Sequence, residues 1–130
     1  MPAPRIINIV DSLPRHPTKR YRARPVSAIK GCLVHHTGTT CACGLDMNLN
    51  DIDDAVEAVA RFHITSNRLE KGGAPGIAYH FCIPKTGEIY KTNNISSLTW
   101  HGGKGNNLAH IGICVLGNFE IEHPTTQQLD

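Results

Sequence analysis

The chain has 130 residues, 40% of them hydrophobic, and 13 basic residues against 11 acidic ones. This length suits one domain with its own core, and a net charge of +2 does not indicate a nucleic-acid partner. Residues 1–10 contain no long apolar stretch typical of a signal peptide, and no stretch predicts a membrane span. These observations predict synthesis in the cytoplasm without a secretory signal.

The N-terminal part, residues 1–28, predicts a short strand followed by a basic extended segment. Residues 6–10 are apolar, whereas residues 13–25 are rich in Pro and Arg and predict an irregular connection. The basic residues from 15 to 24 are typical of a solvated loop, although they could also contact an anionic polymer. The remainder, residues 29–130, predicts one globular domain.

Two adjacent imidazoles end the next predicted strand. Residues 28–34 are largely apolar, His35 and His36 follow, and residues 37–40 form a polar, turn-prone cluster. Because successive strand residues point to opposite faces, only one of the two imidazoles can face a given cleft. A strand end is a usual place for catalytic or metal-binding side chains, but one packed and one solvated histidine would also explain the pair.

Five cysteines, an odd number in a chain without a predicted signal, do not indicate a disulfide framework. Cys32, Cys82 and Cys114 lie in apolar runs and are interpreted as small core residues. Cys41 and Cys43 lie in the loop after the histidine pair. Their spacing can hold a metal ion, although it is not a usual spacing for structural zinc.

The remaining pattern predicts a mixed α/β (α+β) fold, with a central β-sheet flanked by helices. Asn50 and Asp51 predict a helix cap, and apolar residues at three- and four-residue spacing predict a helix to about residue 65 or 67. Residues 77–83 and 88–92 predict a hairpin around Pro84 and Gly87. Residues 110–116 predict a buried strand, and residues 125–130 predict the cap and first turn of another helix.

Three motifs resemble, in order and spacing, those of a family of zinc amidases. They are Val34-His35-His36-Thr37, then residues 76–81 around Tyr79, and residues 107–113 leading to Leu116-Gly117-Asn118. The family comprises phage N-acetylmuramoyl-L-alanine amidases and animal peptidoglycan recognition proteins. The resemblance covers residues 29–130 and implies a sheet with a groove across one face and Zn²⁺ at its floor.

The resemblance also implies roles for individual residues. His35 matches the first zinc ligand, while His36 would point to the other face and serve packing. Tyr79 matches a groove tyrosine that would assist catalysis by donating a hydrogen bond to the zinc-bound water or the oxyanion. His101 and Asn107 match the groove wall, where either would bind substrate, although an ordinary loop role is also open for both.

In the family, the other two zinc ligands follow a later helix, and no residue up to Asp130 matches them. The resemblance therefore implies an incomplete zinc site, weak zinc binding, no amidase activity of this chain alone, and self-association through a partly uncovered sheet face. The function implied for an intact domain is hydrolysis of the amide between N-acetylmuramic acid and L-alanine in peptidoglycan, as in a phage or prophage lysin acting on the cell wall. The alternatives are a non-catalytic muropeptide-binding module and an inactive fragment.

Overall fold

The structure is a computed structural model that describes residues 2–38 and 52–130, with only the backbone described for residues 52–54. The described part contains seven strands, which are β1 (Ile6–Asn8), β2 (Arg22–Ala23), β3 (Gly31–His36), β4 (Phe81–Ile83), β5 (Ile89–Lys91), β6 (Ser97–Leu98) and β7 (His110–Val115). It also contains three α-helices, which are α1 (Ile52–Thr65), α2 (Lys104–Ala109) and α3 (Thr126–Leu129). None of these helices has the length and apolar character needed to cross a membrane.

Five of the strands form one mixed sheet in the order β1-β5-β4-β7-β3. Strand β7 runs parallel to both β3 and β4, β1 runs parallel to β5, and β4 and β5 form an antiparallel hairpin. The hairpin turn is closed by the Gly87 N–H, which donates to the Pro84 carbonyl at 2.9 Å, and Gly87 has φ +88°. Its positive φ explains the glycine. The predicted mixed α/β fold is confirmed.

Helix α1 covers one face of this sheet and forms the core with it. Ala55, Val56, Val59 and Ala60 recur at the predicted helical spacing, and all four are buried. They belong to one cluster with side chains of three neighbouring strands, Cys82, Tyr90 and Cys114. Burial of this apolar stripe fixes α1 against the sheet. The end of α1 at Thr65 agrees with the prediction, while the predicted cap at Asn50 and Asp51 lies outside the described residues.

The opposite face of the sheet is partly uncovered. Strand β3 lies at the sheet edge, and its alternate residues Cys32 and Val34 are exposed, with Val34 70% accessible. Their register partners on β7, Ile111 and Ile113, are only half-buried. This side of the sheet therefore presents apolar side chains to solvent in the described part of the chain.

The basic N-terminal segment is more ordered than the predicted solvated loop. Strand β2 pairs with β6, and Arg24 is only 3% exposed. The Arg24 guanidinium donates to the carbonyls of Ile95, Asn107 and His110 at 2.8, 2.8 and 2.6 Å. One buried side chain thus ties the N-terminal segment to the connection before β7. The boundary between residues 28 and 29 stays a prediction.

Several predicted elements differ in length. The strand predicted over 77–83 is confined to β4, because the Ile77 carbonyl and the Ala78 N–H bond to the side chains of Tyr21 and His63 instead of a neighbouring strand. The predicted loop 93–107 contains β6 and most of α2. The predicted helix start at residue 125 is confirmed, since the Thr125 side chain and Gln128 form a reciprocal capping box.

Candidate functional site

The two adjacent histidines point to opposite sides of strand β3. His35 is in register with the buried Cys114 on the face covered by α1. His36 is in register with Val115, stacks on Phe119 with ring centroids 5.8 Å apart, and accepts the Phe119 N–H at its Nδ1. The predicted packing role of His36 is confirmed, and His35 is left as the imidazole that faces the site.

His35 is held by a second imidazole from a distant part of the chain. His35 Nε2 lies 3.0 Å from His101 Nδ1, and His101 Nε2 lies 3.2 Å from the His110 carbonyl. Burial lowers the pKa of His101 to about 4, so its ring is neutral at physiological pH. Because a carbonyl only accepts, His101 Nε2 carries the proton, and His35 Nε2 donates to His101 Nδ1. The unprotonated Nδ1 of His35 is thereby left without a hydrogen-bond partner among the described residues and is available to a ligand.

A glycine makes room for this contact. A Cβ at Gly112 would lie 2.5 Å from Cγ of the His101 ring, closer than side-chain atoms pack. The absence of a side chain on β7 therefore lets the His101 ring lie against that strand and reach His35.

Tyr79 lies beside His35 in a largely buried position. The two ring centroids are 5.7 Å apart. Burial, followed by the influence of Cys114 and Cys82, raises the pKa of Tyr79 well above its ordinary value, so the phenol keeps its proton. The site therefore holds a protonated donor next to His35.

His63 is a site residue that the sequence indicated only as part of the buried face of α1. Its ring centroid lies 5.7 Å from that of Tyr79, and its Nδ1 accepts the Ala78 N–H at 3.1 Å. Burial lowers the pKa of His63 to about 4. The neutral ring thus anchors the backbone that presents Tyr79. The only signal in the sequence was a histidine at a buried helical position.

His80 and Asn107 hold the surrounding backbone. His80 is fully buried, accepts the Gly112 N–H at Nδ1 and places Nε2 2.9 Å from the Ser97 carbonyl, in agreement with its predicted structural role. Asn107 is 9% exposed, and its side-chain oxygen accepts the Gly102 N–H at 2.8 Å. The Asn107 amide thus closes the loop that carries His101. Substrate binding by His101 and Asn107 stays a prediction.

The donors present do not by themselves fit a catalytic zinc centre. Such a centre takes about three protein ligands and one open position. Within residues 2–38 and 52–130, no three His, Cys, Asp or Glu side chains are grouped closely enough to hold a metal ion. His35 Nδ1 supplies one suitable nitrogen. Cys41 and Cys43 lie outside the described residues.

Comparison with known proteins identifies the family. A family model described as N-acetylmuramoyl-L-alanine amidase matches residues 24–130. Peptidoglycan-recognition protein 2 of Holotrichia diomphalia is 30% identical over 110 residues, which cover 81% of this chain and 51% of that protein. The chain thus spans about half the length of this curated relative.

Two solved structures share the fold. One is peptidoglycan recognition protein-LE in complex with tracheal cytotoxin, a monomeric diaminopimelic acid-type peptidoglycan. It matches with a TM-score of 0.70 and 25% identity, and the match covers 95% of this chain and 66% of that one. The endolysin N-acetylmuramoyl-L-alanine amidase LysCS of Clostridium intestinale matches with a TM-score of 0.62 and 26% identity over 97% and 66%. With the family match over most of its length, the chain belongs to the N-acetylmuramoyl-L-alanine amidase family.

Proposed function

We propose that the whole protein is a zinc-dependent N-acetylmuramoyl-L-alanine amidase that acts on bacterial cell wall. The reaction adds water across the amide that joins the lactyl group of N-acetylmuramic acid to L-alanine. It releases a lactyl carboxylate and a free amino terminus on the stem peptide. The observation that carries the proposal is the convergence of His35, Tyr79 and His101, three of the residues to which the family resemblance assigns roles.

The side chains of the site have separable tasks in this proposal. His101 holds His35 in one tautomer, so that Nδ1 faces the ligand. Tyr79 carries a proton at all physiological pH values and can donate it in a hydrogen bond to the oxyanion that forms at the attacked carbonyl. His63 holds the backbone next to Tyr79 in place, because its Nδ1 accepts the Ala78 N–H.

Zinc is part of the proposal through His35 alone. A neutral imidazole nitrogen without another partner is a suitable zinc ligand, and bound zinc would supply hydroxide at neutral pH. Because the described residues do not complete a three-ligand group, the further ligands must come from elsewhere in the whole protein. The residue roles given above hold with or without the metal.

The second candidate function is muropeptide binding without catalysis. It is favoured by the absence of a three-ligand group among the described residues, because one imidazole does not make a catalytic centre. A relative of known structure binds a monomeric peptidoglycan in the crystal. The fold and the site around His35 would serve either function. The distinction therefore rests on zinc and on the chemical step.

One experiment separates the two functions. Purified peptidoglycan is incubated with the zinc-supplemented whole protein, the soluble products are analysed by mass spectrometry, and bound zinc is measured by elemental analysis. We expect stem peptides with a free L-alanine amino terminus and about one zinc per protein. Saturable muropeptide binding without such peptides and without zinc would show the binding module.

Two variants of the adjacent histidines test the assignment of the site. His35→Ala should abolish both zinc retention and peptide release, because it removes the nitrogen that faces the site. His36→Ala serves as the matched control and should keep zinc, since His36 packs on Phe119 on the other face. Loss of zinc in the His36 variant alone would reverse the assignment.

We further propose that two copies of this 130-residue chain associate through the partly uncovered sheet face. Within the described part of the chain, β3 has a neighbouring strand on one side only, and the exposed Val34 lies on this strand. Edge strands of this kind favour pairing with a second copy. This contact is separate from the muropeptide site, because Val34 and His35 point to opposite faces.

A further inference from the structure

A cavity lies away from His35, between the N-terminal segment and the segments that follow α1 and β6. Its volume is about 1040 Å³. Its lining carries five basic side chains, which are Lys19, Arg20, Arg22, Arg68 and Lys104. Among the lining residues that the structure describes, the only acidic one is Glu70, which pairs with Lys19 at 3.1 Å. We refer to this cavity as the basic groove.

The floor of the basic groove is built by fixed contacts. Lys19 Nζ donates to the carbonyls of Lys71 and Gly73 at 2.8 and 2.6 Å, in addition to its pair with Glu70. His16 Nδ1 accepts the N–H groups of Thr18 and Lys19, which holds the start of the basic segment in a turn. The basic residues therefore stand on an ordered backbone, so that a ligand need not order a free loop.

Two of the basic side chains are free for a ligand. Arg22 on β2 and Lys104 at the start of α2 are both exposed. Neither takes part in an ion pair within the described part of the chain. Two such charges on one cavity attract anionic groups spaced along a ligand, and the attraction falls with added salt.

The groove also has an apolar surface. Leu98 and Trp100 line it between the basic residues. Trp100 is adjacent in sequence to His101, yet His101 contacts His35 whereas Trp100 faces the groove. An indole face packs well against the apolar face of a sugar ring. The combination of an aromatic surface with flanking cations suits sugars that carry negative charges.

We propose that the basic groove binds a linear anionic polymer of the cell wall whose phosphate-containing backbone carries sugar substituents. The choice of a wall polymer rests on the proposed function, which places the protein at the cell wall. Trp100 packs on a sugar unit, and Arg22 and Lys104 contact anionic groups along the polymer. The groove acts as an anchoring site that is separate from the muropeptide site.

Trp100 is the only tryptophan of the chain, so its fluorescence reports directly on the groove. The probe is an oligomer of glycerol phosphate substituted with N-acetylglucosamine, titrated at low and at moderate salt. We expect a saturable change in Trp100 fluorescence and an affinity that falls as salt rises. A neutral chitin oligosaccharide of equal length should bind at least tenfold more weakly.

Paired variants test the role of the two free cations. Arg22→Gln combined with Lys104→Gln should weaken oligomer binding at least tenfold and flatten its salt dependence. The control combines Arg5→Gln with Lys30→Gln, which removes the same charge from two exposed residues outside the groove lining. Unchanged Trp100 fluorescence, or an equal loss of affinity in the control, would overturn the proposal.

Two further arms identify the ligand class. A single-stranded DNA oligomer of matched charge should bind at least tenfold more weakly than the substituted oligomer, and equal or tighter binding would overturn the choice of a sugar-substituted polymer. Muramyl dipeptide is titrated separately and followed at His35. If the oligomer binds and muramyl dipeptide does not, the proposal for the basic groove is supported. That result would contradict only the proposed amidase function.

Discussion

The side chain that gives the site its chemical character is Tyr79. It is held between the His35 ring and the His63 ring, with its phenol protonated. A protonated donor of this kind contributes when negative charge develops on the substrate, and removal of one such donor costs about a hundred- to a thousandfold in rate in known enzymes. This location gives Tyr79 a role in the chemical step of the proposed amidase.

Tyr79→Phe in the whole protein should lower kcat by roughly ten- to a thousandfold, because only the donor oxygen is lost. Zinc content and muramyl dipeptide affinity should change little, since the ring that contacts His35 and His63 remains. Rates of peptide release and bound zinc are the measurements. Release at the parent rate would show that Tyr79 only lines the muropeptide site and takes no part in the chemical step.

Two buried histidines make stability depend on pH. Burial lowers the pKa of both His63 and His80 to about 4, whereas an unfolded histidine has a pKa near 6.5. The unfolded chain therefore binds more protons between these values. The stability that the neutral rings contribute is complete above about pH 6.5 and is lost as the pH falls to about 4, by roughly 3 kcal/mol per imidazole at most.

Urea unfolding at a series of pH values measures this loss. His63→Gln should flatten the decline between about pH 6.5 and pH 4, because one proton fewer is taken up on unfolding. The control is His123→Gln, which changes an exposed residue and should leave the decline as it is. A decline of equal steepness in the His63 variant would contradict the burial argument.

At the residue scale, alternation along a strand was enough to separate the roles of His35 and His36. The hydrogen bond between His35 and His101 could not be predicted in this way, because the two residues are 66 positions apart in the sequence. They meet only once β3 pairs with β7. The contact of Tyr79 with His63 depends in the same way on how α1 packs on the sheet. These contacts are properties of the fold and leave no local pattern.

Strand β7 is the element on which the site depends most. It pairs with both β3 and β4, and at Gly112 it leaves space for the His101 ring. Gly112→Ala should push that ring away from His35 and release His35 from a single tautomer. Ring nitrogen shifts in NMR of histidine-labelled protein measure this directly, and we expect a mixture of His35 tautomers in the variant.

The control is Gly105→Ala in helix α2. A Cβ at Gly105 meets nothing within 4 Å, and its φ is not positive, so the His35 signals should stay as in the parent protein. If Gly112→Ala also leaves the His35 nitrogens unchanged, the 3.0 Å contact with His101 does not fix the tautomer. Unfolding measurements on both variants separate a local effect from loss of the fold.

Elements with a long, regular pattern were predictable, and short ones were not. The apolar spacing of α1, the apolar run of β7 and the cap at Thr125 each carry their own signal. Strands β2 and β6 have two residues each and exist because they pair with each other, with Arg24 bonding across the same region. Such elements follow from tertiary contacts, so their sequences read as loops.

For the whole molecule, the two faces of the sheet differ in kind. One face is covered by α1 and carries the site around His35, while the other exposes apolar side chains along the edge strand β3. Because contiguous exposed apolar surface favours association, the 130-residue chain should show concentration-dependent self-association in sedimentation velocity. Val34→Lys should reduce it, since a charge on an edge strand opposes pairing with a second copy.

The matched control for this prediction is Ile121→Lys. Ile121 is 80% exposed but lies outside the strands, so the same change of side chain there should leave association unaltered. A chain that sediments as a monomer at every concentration, or an equal effect of both variants, would contradict association through this face.

The central claim is that His35, Tyr79 and His101 together form the site that receives the muropeptide. The measurement that tests it most directly is a titration of the histidine-labelled chain with muramyl dipeptide, followed by NMR at the imidazole nitrogens. We predict that the His35 and His101 signals shift together and saturate, while those of the exposed His123 stay in place. Saturable binding that leaves His35 and His101 unchanged would contradict the claim, because the ligand would then be bound elsewhere on the molecule.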